Sequence, residues 1–281
     1  MIETIDQNKS SPSAPDDPWR QLLRCQIQAQ LVFALCGRSA WGAAQKELSM
    51  LKELASKLPP DANSPMPIIV RYLEGSICQG TGDTKTALSI FSSPLLTLAP
   101  SQNTPDTPIR RAISILAALN SLMIIHLPSH PNHYLLPSIL ASLEPIALSN
   151  KSRNIHSAFN LIRAVSINNN EPGNVLQTKT HLGPALQEAK ATSNSQLICI
   201  TLNFMCFRFF RGMVGEQPLK SARSALTMAK KGQNELWTSV AEGMYAETLE
   251  TQGRCAEAEQ VRREAREVAG RLPVAMQREE K

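Results

Sequence analysis

Three histidines stand close together as His126, His130 and His133, and imidazoles at such short spacing could ligate a zinc ion. Ligation needs the rings to converge, and Pro128 and Pro131 break the single helical face that would bring them together. No nearby Glu or Cys completes a ligand set, so the segment reads as a loop between two helices. Gly80-Thr81-Gly82 resembles part of a phosphate loop, but no strand precedes it and no Gly-Lys-Ser/Thr follows. It reads as a tight turn. The six cysteines (Cys25, Cys36, Cys78, Cys199, Cys206 and Cys255) form no C-x-x-C, which leaves buried, reduced thiols as the simpler role. Ser, His and Asp occur together only at long range and without a nucleophile elbow. The expectation is a protein with no catalytic constellation, no metal and no cofactor.

The run from Phe204 to Arg211 is the most aromatic of the chain, with Arg208 and Arg211 interleaved among Phe207, Phe209 and Phe210. Such a run could stack on nucleic-acid bases. Helical spacing offers a second account, in which Leu202, Met205, Phe209 and Met213 share one core stripe, flanked by Cys206 and Phe210, with the arginines at its polar edge. The charge distribution weighs against direct nucleic-acid binding. Net charge is only +5, and Arg262, Arg263 and Arg266 are interspersed with Glu259, Glu264 and Glu267 in a mixed, solvated face. No apolar run reaches membrane-spanning length and no signal peptide opens the chain, so a soluble intracellular protein with no membrane partner is expected.

The elements that would position these residues are helices. Ala, Leu, Gln, Lys, Arg and Glu fill the long segments, and Val and Ile do not alternate. Breakers mark off six helix-turn-helix units. The first runs from Trp19 to Cys36, turns at Gly37-Arg38-Ser39, and returns from Trp41 to Leu58 before Pro59-Pro60-Asp61. The second runs from Ile68 to Gly80 and from Thr84 to Leu98, with a kink expected at Pro94 and a stop at Pro100. The third pairs Ile109–Leu127 with Tyr134–Ser149, where Pro137 suits the first turn and Pro145 should bend or shorten the helix. The fourth runs from Ser152 to Asn168 and from Val175 to Ala191. The fifth runs from Gln196 to Met213 and from Leu219 to Lys231, and the sixth from Glu235 to Gln252 and from Cys255 to Ala269. Residues 1–17 read as a flexible polar N-terminal segment, 18–270 as the repeat domain and 271–281 as a frayed C-terminal tail.

Gly75, Gly82, Asp83, Ala87 and Phe91 fall at tetratricopeptide-repeat offsets. Small residues let two helices approach, a glycine makes the turn, and an aromatic fills the gap to the next unit. Ala246, Gly253, Ala258 and Ala265 repeat the scheme, with Arg262 in place of the aromatic. The fold expected is all-α: a right-handed superhelical array of about six antiparallel helix hairpins, a tetratricopeptide-like solenoid whose groove is lined mainly by first helices.

Three further stretches are more specific: Ser193–Met205 with Phe209–Glu216, Asn234–Val240, and Tyr72–Asp83 with Ala87–Phe91. Together with Cys25–Gln28 and Leu31–Cys36, they resemble the fungal form of the cohesin-loading factor, the tetratricopeptide-repeat subunit of the complex that loads cohesin onto chromatin. The resemblance covers roughly Pro18 to Gly270 and corresponds to the C-terminal portion of a longer protein. It implies a non-catalytic nuclear adaptor that clasps the extended N-terminal segment of the large helical-repeat loader subunit, reaching cohesin and chromatin indirectly. It brings no active site to carry over. Arg208, Arg211, Trp237 and Tyr245 are the expected partner-binding residues, since Trp and Arg anchor such grooves, with Trp237 open to a core role as well. The alternative is a peptide- or effector-binding repeat domain of a signalling or transcriptional regulator.

Overall fold

Backbone N–H groups at a helix start need an acceptor, and Asn, Asp or Thr supplies it at five starts among the described residues. Asp83, Thr107, Asn174, Asn194 and Asn234 each accept from the backbone N–H three residues on. The computed structural model describes residues 18–59, 64–98 and 107–273. Within them the helices are α1 (Pro18–Gly37), α2 (Trp41–Ser56), α3 (Met66–Gly80), α4 (Thr84–Phe91), α5 (Pro108–Ile125) and α6 (Leu136–Ser149). They continue as α7 (Arg153–Asn170), α8 (Val175–Ala191), α9 (Ser195–Met205), α10 (Glu216–Gly232), α11 (Glu235–Thr251) and α12 (Cys255–Ala269). No strand occurs among the described residues. Residues 1–17, Pro60, Asp61, Pro100 and the tail from residue 274 lie outside them.

The described residues form an all-helical array of six neighbouring pairs, and its boundaries depart from expectation in physically readable ways. Pro94 does not kink the return helix of the second pair, because α4 has already ended at Phe91. Proline has no N–H to continue the ladder and disfavours helix in the residue before it. Pro137 does lie in the first turn of α6, which runs past Pro145 to Ser149 instead of being shortened. Helix α5 corrects the expectation on apolar length: its 18 residues have mean hydropathy 1.4, enough by length and composition to cross a membrane. Just over half of that stretch, 56%, is buried among its neighbours, as a core helix would be. In the segment expected to fray, Leu272 is buried and Arg271 bonds Glu267 at 2.7 Å.

Small residues sit where helices cross, both within a pair, as at Gly75, and between neighbouring pairs, as at Gly80. A Cβ on Gly75 would lie 2.6 Å from the Phe91 ring, and one on Gly80 would lie 2.4 Å from the Trp41 indole. Ala87, Ala246 and Ala258 are fully buried, and Gly82 and Gly253 make their turns at positive φ, 89° and 77°. Arg262, at the aromatic's place in the last pair, bonds Glu250 instead. The core is a succession of local clusters shared between neighbouring pairs. The first helices pack on one another in order (α1 on α3, α3 on α5, α5 on α7, α7 on α9, α9 on α11) and form a continuous layer. Among the described residues each even-numbered helix packs on its own partner, and all but the last, α12, also on the next first helix, never substantially on another even-numbered one.

One contact joins residues 195 apart in sequence. The turn between α1 and α2 meets the junction between α10 and α11: Ser39 Oγ donates to Asn234 Oδ1 at 2.9 Å, and Asn234 Nδ2 donates to the Gly37 carbonyl at 2.7 Å. Arg38 donates to the Gln233 amide oxygen beside them. Ser39 and Asn234 are both buried by this contact.

Two stability predictions follow from these packings. Gly80→Ala must displace the Trp41 indole and should cost about 1–3 kcal/mol. Gly243→Ala, whose Cβ meets nothing within 4 Å, should instead stabilise by about 0.5–1 kcal/mol. Thermal melts of the two variants check the contrast, and equal melting temperatures would contradict it. Asn and Asp cap helices equally well, so Asn234→Asp would be nearly neutral if Asn234 only capped α11. Losing its donor to Gly37 should make that variant about 0.5–1.5 kcal/mol less stable, and urea denaturation would read the difference.

Candidate partner-binding groove

The layer of first helices carries a cavity of about 490 Å³. Its walls come from α5, α7, α9, α11 and the turns that follow α5 and α9, and no even-numbered helix contributes. Met123, Leu161, Phe204, Trp237 and Met244 supply apolar wall. The exposed large apolar residues Met123, Leu127, Phe207 and Val240 all border this one cavity. Clustered apolar exposure of this kind marks a surface that another molecule covers.

The end of α9 shapes the rim. Residues Cys206–Phe210 form a single π-helical turn, which inserts one residue into the helical register. Cys206 is thereby turned into the core beside Ala222 and Tyr245, and Phe207, half exposed, faces the cavity. The helix then stops, because Arg211 is extended. Met213, expected on the core stripe, is consequently 51% exposed, with Val214 beyond it. Phe209 packs with Phe204 and Met205 on the cluster around Leu161 and Leu182, and Lys179 lies over its ring. The Arg211 guanidinium lies 5.4 Å from the Phe207 ring centre, while its Nε donates to Glu247 at 2.7 Å. That pair of contacts fixes Phe207 at the rim.

The four residues singled out from the sequence separate in space. Trp237 lines the cavity while its inner edge packs on the cluster of Cys199, Ala225 and Ala241, so it serves wall and core together. Arg211 stands at the rim through Phe207. Arg208 is half-buried and does not line the cavity. Tyr245 is in the core with Cys206, Leu249 and Ala258, its hydroxyl 3.4 Å from Arg223. Sequence reasoning missed Met123, Val240 and Phe207. The clue to Phe207 was an aromatic run too dense for one stripe.

The wall holds no Asp, Glu, Lys or Arg, and His126 is its one titratable side chain among the described residues. An occupant must therefore present uncharged, apolar groups, since a buried charge without a partner is costly. The three clustered histidines do not converge: His126 faces the Met123 carbonyl, His133 the Ile125 carbonyl, and His130 accepts from the Asn132 N–H. Among the described residues no group of three His, Cys, Asp or Glu could hold a metal. Burial pushes the Cys199 and Cys206 thiols up to about 12 and Cys36 to about 11, far from the thiolate needed for nucleophilic chemistry near neutral pH. Among the described residues the cavity wall carries no paired acid and base.

No curated protein and no solved structure matches the chain. A family model described as cohesin loading factor matches residues 3–256, which includes every helix that lines the cavity. With most of its length matched in this way, the chain belongs to the cohesin loading factor family.

Proposed function

We propose that the chain is a non-catalytic scaffold of the cohesin loader, and that its layer of first helices forms a curved superhelical groove holding the extended N-terminal segment of the large loader subunit. Family membership supports a role in cohesin loading, and with it a nuclear, chromatin-related place of work in sister-chromatid cohesion. Contact with cohesin and chromatin then runs through the loader subunit.

The observation that carries the reading is the uncharged apolar cavity shared by four successive first helices. An extended segment can lay alternate side chains against such a row, and the apolar area covered offsets the cost of ordering it. About 490 Å³ suits a few bulky aliphatic or aromatic anchors. An anionic effector would need a cation in the wall, and among the described residues none lines it.

Val240→Glu tests this, because Val240 is 38% exposed at the wall and tolerates a polar side chain without opening the core. The charge should weaken binding of a recombinant N-terminal loader segment by about tenfold to a hundredfold, with helicity and melting temperature nearly unchanged. Trp237→Ala should weaken it as much through a lost anchor. Arg254→Ala, whose partner is the exposed Glu257, should leave affinity as it was. Calorimetric titration reads all three, and equal affinity for Val240→Glu and the unaltered chain would contradict the reading.

A further inference from the structure

The contact between Gly37–Ser39 and Gln233–Asn234 joins the two ends of the first-helix layer. It bonds the C-terminal turn of α1 to the N-terminus of α11, the last helix of that layer. With the first helices in contact from α1 to α11 and the two ends bonded, a segment lying against the inner face would be enclosed. We propose that this contact is a gate: closed, it encircles the segment held in the groove, and opening it admits or releases a segment that cannot be threaded by its end. The proposal rests on the groove reading above.

The physical basis is the difference between this junction and every other. Neighbouring pairs share buried apolar clusters, so parting them would expose core to water. Among the described residues no hydrophobic cluster spans the two sides of the closing contact, and neither α1 nor α2 packs substantially along α10, α11 or α12. Among the described residues it is held by the Ser39–Asn234, Asn234–Gly37 and Arg38–Gln233 hydrogen bonds. Groups that part there regain hydrogen bonds from water, so their net contribution is small. The array therefore opens first at this place, and polar residues give a contact that can close again without trapping apolar surface.

Locking and loosening the contact test the gate. Arg38→Cys with Gln233→Cys, in a Cys255→Ser background that removes the exposed native thiol, is bridged by a short bismaleimide, with circular dichroism to confirm the fold and peptide mass mapping to confirm the bridge. The probe is the N-terminal loader segment, either bare or fused at both ends to folded fluorescent domains. The bridged chain should bind the bare segment, which threads by its free end, and should fail to bind the doubly capped one. The unbridged variant should bind both. Capture of the capped segment by the bridged chain at the unbridged rate would overturn the gate.

Ser39→Gly removes the Oγ donor, and glycine suits the φ of 59° found there. Association and dissociation of the capped segment should both quicken about fivefold, the factor of one lost hydrogen bond, with Kd unchanged. A faster dissociation alone would make the contact part of the binding surface and overturn the gate. If even the bare segment fails to bind the unaltered chain, the groove reading falls and the gate with it. Binding at rates indifferent to lock and loosening would remove the gate alone.

Discussion

Two helices can lie side by side at the close distance of these pairs only where one of them presents almost no side chain. Gly75 lies against Phe91 within the second pair, and Gly80 lies against Trp41 of the first, with no room for a methyl group at either. Ala222, Ala225 and Ala229 give α10 the same smooth face, and Ala258 does so for α12. The bulky residues are thereby displaced to the edges of each pair, where they meet the next one. Phe91 is the clearest case, buried between Tyr72 of its own pair and the cluster that continues into α5. Pair follows pair because each leaves apolar surface that only a neighbour can cover.

This arrangement separates two kinds of junction. Along the array, contacts are apolar and shared, so the stability of each pair depends on its neighbours. Where the first turn returns to the α10–α11 junction, the contact is polar and rests on a handful of hydrogen bonds. Asn234 joins the two regimes, since the same amide oxygen caps α11 at the Trp237 N–H and accepts from Ser39. Trp237 starts the wall of the cavity one turn further on. The closing contact and the groove are therefore mechanically adjacent, which is why a partner lying in the groove would bear on both.

Much of the array is legible in the sequence because breakers are local. Gly82, Gly253, Asn194 and Asn234 act within one turn of themselves, and helix ends fall within a few residues of where they point. Gly75, Ala87 and Phe91 are equally readable, since their sizes encode a crossing. The site was less legible. Residue type alone does not separate Trp237, which lines the cavity, from Tyr245, which is in the core. Periodicity assumes an unbroken helix, and the π turn at Cys206–Phe210 shifts the register by one residue. Phe207 and Met213 consequently face where a straight helix would not put them. The Ser39–Asn234 contact left no trace in either local stretch, because it depends on how five successive packings accumulate.

Site-specific photo-crosslinking is the most direct measurement on the groove. A photoreactive phenylalanine analogue placed at Met123, Phe207 or Val240 on the inner layer should attach to the N-terminal loader segment in the assembled complex. The same group at Leu148 on α6, exposed but on a helix that contributes nothing to the cavity wall, should not. Mass spectrometry would map the inner attachments to apolar residues of the segment in an order that follows α5, α9 and α11. Attachment from Leu148 with none from the three inner positions would place the partner on the opposite layer and contradict the groove as its seat.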